Sequence, residues 1–388
     1  MTSDREKRAL LPLLYLTHFS SFGVFMPFFP VWLQARGVTG LKLGALLATP
    51  PLVGIVAPIV SGLIADALGL RAKLLTAAAG LAFTASIAIA VSAAALTGAP
   101  LVGALAILIG LVAVARAPLF GLADVLALET LGENRAAFGR YRLWGSAGFL
   151  LAVVIYPTLY EPTAAVALPA AMAVGFFCTV LVTLRLPRTT TRLGFDLTGS
   201  FRMLRKHAGF FATLSLWQLG NATYDSTFTQ HLQALGMPQS LMGVTWGLGV
   251  VAEIVAMAAT SQLLRRISTR HLLLLGLTIS SARWAMTSVT TSLWMVAALQ
   301  LLHAGSFALT WTVANTLLPK LATDGRLATT QGAVTTAAAI GSAAGMFVWP
   351  FLYREYGPTF VFGGGSLAAL CAIVCFALWR PPPAVLRR

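Results

Sequence analysis

Charged side chains are scarce in this sequence: they make up 10% of the 388 residues, whereas 57% of the residues are hydrophobic. Soluble domains carry about 25% charged residues, so this composition excludes a water-soluble fold, and it excludes a disordered chain for the same reason. Three cysteines are too few to hold a disulfide-rich secreted scaffold together. The class that remains is a polytopic membrane protein.

The apolar residues occur in long continuous runs, which predict membrane-spanning helices and not the alternating strands of a membrane barrel. A helix needs roughly 20 residues to cross the hydrocarbon core, and the chain is long enough for twelve. We therefore expect an all-α membrane protein with twelve transmembrane helices. The predicted spans are residues 9–34, 41–66, 73–96, 100–129, 138–160, 163–185, 209–234, 239–264, 271–289, 292–319, 329–352 and 359–380.

The net charge of +15 reflects the topology of the chain. Most of the lysines and arginines fall at the N-terminus, in the loops after even-numbered spans and at the C-terminus, whereas the opposite loops hold Arg36, Lys42 and Arg354. This positive-inside pattern places both termini in the cytoplasm. It favours a multi-pass protein of the bacterial inner membrane in contact with lipid, and it argues against a nucleic-acid partner.

A polar stretch at about residues 186–208 divides the chain into two similar parts. We expect an N-terminal six-helix bundle at 1–185, a cytoplasmic linker at 186–208 and a C-terminal six-helix bundle at 209–388. Residues 196–207 have the spacing of an amphipathic surface helix, although a solvated linker is the preferred interpretation. Short basic loops recur at corresponding places in both parts, which indicates a duplicated chain with a central cavity near the midplane.

Several ionisable side chains lie inside or near the predicted spans, where each costs about 2.5–3.5 kcal/mol on insertion scales. They are Asp124, Asp225, Glu253, Arg116, Arg142, Arg283 and His303. Such groups either form a static lattice of ion pairs or serve a substrate or proton pathway, and the cost of the whole set favours the second interpretation.

Each of these residues has its own chemistry. Glu253 stands alone in an apolar segment, so desolvation would bring its protonation into the physiological range and make it a proton carrier. His303 either relays protons or is an interior histidine with its hydrogen bonds satisfied. Arg116 and Arg283 either hold an anionic group or neutralise the acids. The sequence has no metal-ligand spacing, phosphate-binding loop or nucleophile motif, so we expect no metal, no cofactor and no enzyme activity.

Local motifs over nearly the whole chain resemble the major facilitator superfamily, and in particular its lactose permease and phenylpropionate permease branches. The motifs are Pro27–Leu33 in the first span, Gly62, Asp66, Gly69 and Arg71 in the following loop, residues 138–149 in the fifth span, Thr223–Asp225 in the seventh, and the surroundings of Glu253, Arg283 and His303. In the loop motif, Ala67 replaces the usual basic residue. The resemblance implies two six-helix halves and a loop that acts during conformational change.

The resemblance also implies roles for site residues. Asp124 and Arg142 match sugar-binding positions of the lactose permease branch, and Glu253, Arg283 and His303 match positions that handle substrate and protons. It adds candidate substrate contacts at Trp144, Phe149 and Asp225.

Departures from that pattern are equally informative. Ser306 stands where the resemblance expects the proton-carrying acid, and Gln300 stands in place of a basic residue. Phe149 replaces a sugar-stacking tryptophan. These changes argue against a galactoside, favour an aromatic carboxylate and leave Glu253, with His303 and Asp124, as the proton-coupling candidates.

We therefore expect a monomeric, proton-coupled symporter that imports a small organic solute, most consistently an aromatic carboxylate, by alternating access. A proton symporter for a sugar or nucleoside is one alternative, and a proton-driven exporter of drugs or metabolites is another. A transporter-like sensor or a membrane enzyme is a different class, for which the sequence offers no clustered nucleophile or metal site.

Overall fold

The computed structural model describes residues 4–68, 70–131, 138–161, 163–186, 205–317, 321 and 327–379, and these residues are helical apart from short turns. The helices before the linker are α1 (Asp4–Gln34), α2 (Gly40–Leu68), α3 (Arg71–Ala95), α4 (Gly98–Leu131), α5 (Phe138–Leu159) and α6 (Ala167–Thr183). The helices after it are α7 (Ala208–Ala234), α8 (Gln239–Arg266), α9 (Thr269–Val289), α10 (Leu293–Ala298), α11 (Thr310–Thr316) and α12 (Leu327–Leu378).

Nine helical segments among the described residues are long and apolar enough to cross a membrane, which confirms a multi-pass membrane protein. The last of them, Ala333–Leu378, has 46 residues, about twice the length of one crossing. Gly357, with φ 79° and ψ −177°, breaks its helical geometry between the two spans predicted there. The count of twelve spans and the cytoplasmic termini stay predictions.

The span predicted at 292–319 is matched by a candidate membrane span at Leu293–Thr316, although this span is not one regular helix. A 3₁₀ turn at Leu299–Leu302 and a π-helix at Ala304–Leu309 separate α10 from α11. Two side chains donate hydrogen bonds to backbone carbonyl groups of the π-helix. The Trp217 indole donates to the carbonyl of Ser306 at 2.8 Å, and the Thr310 hydroxyl donates to the carbonyl of Gly305 at 3.1 Å. These bonds allow a helix to remain interrupted inside the membrane.

The chain forms two compact units. Unit 1 comprises Met1–Val38 and Val56–Phe195, and unit 2 comprises Thr39–Ile55 and Asp196–Arg388. In this division residues 39–55 group with the C-terminal part of the chain, and the two six-helix bundles with a cytoplasmic linker stay predictions. Within unit 2, Arg354 donates to Thr39 Oγ1 at 2.9 Å and the Thr336 hydroxyl donates to the carbonyl of Ile55 at 3.4 Å.

Glycines bring helix backbones together in both units. In unit 1, a Cβ atom at Gly148 of α5 would overlap the backbone of Leu16 in α1. In unit 2, a Cβ atom at Gly341 of α12 would overlap the backbone of Ser215 in α7. Small residues at such positions give the van der Waals contact that holds helices together where lipid removes the hydrophobic driving force.

The loop motif after the second span is described in part. Gly62 and Asp66 lie in the C-terminal part of α2, and Arg71 begins α3 with 1% of its surface exposed. Gly69 and the linker residues 187–204, which include most of the predicted amphipathic segment, lie outside the described residues. The role of this loop in conformational change stays a prediction.

We expect Gly148→Ala to destabilise the protein by about 1–3 kcal/mol, because the new methyl group meets backbone that cannot move aside easily. Gly121→Ala in α4 is the matched control, since a Cβ atom there meets no atom within 4 Å. Thermal unfolding of the purified protein in detergent measures both. Equal unfolding temperatures for the two variants would contradict the close packing of α1 against α5.

Candidate functional site

The interior of unit 2 is organised around Arg283 of α9, whose surface is completely buried. Its guanidinium donates to Gln300 Oε1 at 2.8 Å, to His303 Nδ1 at 2.9 Å and to Ser306 Oγ at 3.1 Å. All three acceptors lie on the interrupted span, in or beside the 3₁₀ turn and the π-helix. The irregular winding of this span therefore places the side chains at positions 300, 303 and 306 around one guanidinium.

The hydrogen bond from Arg283 fixes the hydrogen position on His303. Arginine has donors and no acceptor, so Nδ1 of the imidazole accepts this bond and the neutral ring carries its hydrogen on Nε2. Nε2 lies 3.7 Å from a carboxylate oxygen of Glu253, a residue of α8. Arg283, His303 and Glu253 thus form a chain from a buried cation, through a neutral ring, to a carboxylate whose side chain is 20% exposed.

Aromatic rings line this chain. The His303 ring stacks on Phe307 at 5.3 Å between centroids, and Tyr224 lies at the same distance from it. The guanidinium of Arg283 lies 4.7 Å from the ring centre of Tyr224 and 4.3 Å from that of Trp284. Ring faces stabilise the cation without neutralising it, so the guanidinium of Arg283 keeps its positive charge.

Asp225 follows Tyr224 on α7 and is half-buried. It makes no hydrogen bond and no ion pair with any residue in the described part of the chain. Its carboxylate is therefore a second acid in the interior of unit 2, separate from the pair formed by Glu253 and His303.

The interior of unit 1 contains a second charged cluster. The Asp124 carboxylate of α4 accepts a hydrogen bond of 2.7 Å from the Tyr15 hydroxyl and lies 3.8 Å from the Arg142 guanidinium of α5. The same guanidinium lies 4.2 Å from the ring centre of Phe19. The side chains of Asp124 and Arg142 are 43% and 34% exposed, so this ion pair is accessible to a ligand.

The remaining predicted residues of unit 1 lie at different places. Phe149 of α5 contacts the ring of Phe22 at 5.7 Å, and Arg116 of α4 lies over the same ring at 4.3 Å. Trp144 is 46% exposed and two positions after Arg142, about 200° away around α5. The structure therefore brings Phe149 and Arg116 near one ring and directs Trp144 away from Arg142.

Sequence reasoning missed the neutral partners of the charged groups. The sequence did not predict Tyr15 as a partner of Asp124, because a tyrosine in an apolar span is uncharged and does not stand out from its neighbours. Gln300 and Ser306 were noticed as departures from a known pattern, and the structure gives them a positive role as acceptors for Arg283. A search for polar residues three positions apart around His303 would have found both.

Comparison with known proteins identifies the family of this helical membrane protein. Residues 9–363 match the MFS_1 like family, and the chain belongs to that family. A protein of Escherichia coli (strain K12) named probable 3-phenylpropionic acid transporter is 31% identical over 375 residues, which cover 94% of this chain and 95% of that protein. Maltose permease of Geobacillus stearothermophilus is 27% identical over 303 residues, 75% of this chain and 73% of the permease.

Solved structures share the fold. The crystal structure of a mutant of the nucleoside transporter NupG has a TM-score of 0.84 and 15% sequence identity, and the match covers 95% of this chain and 98% of that one. At this identity the likeness shows the fold alone. The relatives are transporters and not enzymes, so the chain is a membrane transporter.

We expect His303→Asn to be tolerated better than His303→Leu. The Asn oxygen occupies nearly the position of Nδ1 and can accept from Arg283, whereas leucine leaves a buried donor without that acceptor, at a cost of about 1–3 kcal/mol. Thermal unfolding of the two variants in detergent compares them. Equal destabilisation would show that the ring contacts of His303 matter more than its bond to Arg283.

Proposed function

We propose that this protein is a proton-coupled symporter of the bacterial inner membrane that imports a small aromatic carboxylate by alternating access. The observation that carries the proton coupling is the arrangement of Glu253, His303 and Arg283 in unit 2. The substrate class rests on the arginines and phenyl rings of the interior and on the name of the relative from Escherichia coli.

Glu253 is the proton carrier in this proposal. Protonation of His303 would place a second hydrogen on Nδ1, which would break the bond from Arg283 and set two cations against each other. The imidazole therefore stays neutral, and proton uptake falls to the carboxylate 3.7 Å away. Protonated Glu253 is neutral, so it crosses an occluded state at a lower energetic cost than the carboxylate does.

The arginines support an anionic substrate. Arg283 donates to three neutral acceptors, its Nε is buried without a hydrogen-bond partner among the described residues, and it has no carboxylate within ion-pair distance in the same part of the chain. Arg142 pairs with Asp124 at a distance long enough for a ligand to replace one partner. An incoming carboxylate would supply the counter-charge that a cation in hydrocarbon requires.

A sugar is the second candidate, and the pair of Asp124 and Arg142 favours it. A carboxylate and a guanidinium that are both accessible can bind neighbouring hydroxyl groups of a sugar from two sides. The name of the Geobacillus stearothermophilus relative points in the same direction. Against it, Phe149 offers a ring with no hydrogen-bonding group.

Glu253→Gln should abolish proton-driven accumulation of substrate and spare exchange of substrate across the membrane, because glutamine imitates the protonated state permanently. Proteoliposomes with an imposed pH gradient measure accumulation, and preloaded vesicles measure exchange. Glu355→Gln is the matched control, since Glu355 lies beside Arg354 with 47% of its side chain exposed. Accumulation by Glu253→Gln at the wild-type level would refute this carrier and direct attention to Asp225.

Substrate and direction of coupling can be tested together. A panel of aromatic carboxylates and disaccharides is added to proteoliposomes in which the internal pH is measured. In symport, protons should move in the same direction as the substrate. A signal with the aromatic acids alone supports the proposal, whereas a signal with sugars alone supports the second candidate. Proton movement opposite to the substrate would identify an exporter.

A further inference from the structure

Among the residues that the structure describes, one arginine in the interior of unit 1 has no counter-charge. The guanidinium carbon of Arg116 on α4 lies 4.3 Å from the ring centre of Phe22 and 5.4 Å from those of Phe25 and Phe120. In the ranges that the structure describes, Arg116 makes no ion pair and no hydrogen bond. Because contact with ring faces leaves the in-plane N–H groups unused, Arg116 keeps its donors for a ligand.

A histidine that has no hydrogen-bond partner among the described residues lies close by. His18 of α1 is 2% exposed, and neither of its ring nitrogens has a hydrogen-bond partner among the described residues. Its ring meets Phe120 edge-on at 4.6 Å and Phe19 at 5.2 Å, so Phe120 contacts both His18 and Arg116. Buried polar groups are almost always hydrogen-bonded, and an exception calls for a functional explanation.

The charges of this interior do not balance. Arg142 has a counter-charge in Asp124 at 3.8 Å, whereas Arg116 has none within the described residues. One positive charge is left over in a region where an unpaired charge is costly. A ligand with a single negative charge would remove that excess.

The walls around Arg116 and His18 are phenyl rings. Phe120 meets Phe19 at 5.1 Å and Phe22 at 5.7 Å, and Phe22 meets Phe149 at 5.7 Å, all edge to face. An aromatic ligand extends such an arrangement favourably. Phenyl rings offer no hydrogen bonds to the hydroxyl groups of a sugar, so these walls select an apolar, aromatic group.

We propose that Arg116 and His18 form an anion site in unit 1 that binds the carboxylate group of an aryl-alkyl carboxylate. Arg116 supplies the charge and the first hydrogen bond, and His18 supplies a second. The ring of the ligand packs among the phenylalanines at positions 19, 22, 120 and 149. This inference rests on the proposed function, because it assigns a location to the carboxylate of the proposed substrate and makes Arg116 the residue that distinguishes acids from neutral analogues.

Binding of 3-phenylpropionate and of its neutral amide to the purified full-length protein tests the site. The wild-type protein should bind the acid more tightly than the amide. Arg116→Met should weaken binding of the acid by about tenfold or more and leave binding of the amide unchanged. His18→Phe should weaken binding of the acid by about fivefold, and Arg116→Lys should recover part of the loss. Arg270→Met is the control, because Arg270 also lies over a phenyl ring, that of Phe376 at 5.8 Å, outside this cluster.

Unfolding of the ligand-free variants separates binding from a structural role. Removal of a lone interior cation should leave the unfolding temperature of Arg116→Met unchanged or raise it, whereas a merely structural arginine would lower it. Acid binding at wild-type affinity by both Arg116→Met and His18→Phe would overturn the anion site and leave the proposed function standing. Wild-type protein that binds neither compound would refute the proposed substrate class, and the anion site with it.

Discussion

The cost of placing charge in hydrocarbon governs the interior of this transporter. Each buried cation needs acceptors, and the two units provide them differently. In unit 2, Arg283 is surrounded by an amide oxygen, a hydroxyl oxygen and an imidazole nitrogen, all neutral. In unit 1, Arg142 has a carboxylate, whereas Arg116 has ring faces. Neutral acceptors stabilise a guanidinium without cancelling its charge.

Two departures from the lactose permease pattern, at positions 300 and 306, have the same consequence in the structure. Gln300 and Ser306 replace charged residues, and both bond to Arg283. A carboxylate at position 306 would have neutralised the arginine and shared its protons with His303. With a hydroxyl there, the carboxylate that lies beside His303 is that of Glu253. The pair of substitutions thus removes one charge of each sign from the surroundings of Arg283 and supplies neutral acceptors in their place.

Much of the helical arrangement follows from hydropathy, because a run of apolar residues long enough to cross a bilayer has few other options. The ionisable residues within those runs were visible for the same reason, and they include Glu253, His303 and Arg283. The residues that these ionisable side chains contact could not be predicted from the sequence, since hydrogen bonds such as that from Tyr15 to Asp124 join residues 109 positions apart. His18 gave no signal either, because a lone histidine has no spacing to reveal its surroundings.

The sequence also does not predict the 3₁₀ and π winding between α10 and α11. Residues 299–309 combine apolar residues with Gln300, His303 and Ser306, a composition that does not specify 3₁₀ or π winding. The Trp217 side chain of α7 donates a hydrogen bond to the backbone of the π-helix. The assignment of residues 39–55 to unit 2 depends on tertiary contacts in the same way. In both places, local propensity is uniform and packing decides the outcome.

A π turn is an α-helical turn that contains one additional residue. The irregular winding of residues 299–309 places the side chains at positions 300, 303 and 306 where all three reach one guanidinium. A substitution that altered the winding of this segment would separate these acceptors from Arg283 even if none of the three side chains were changed.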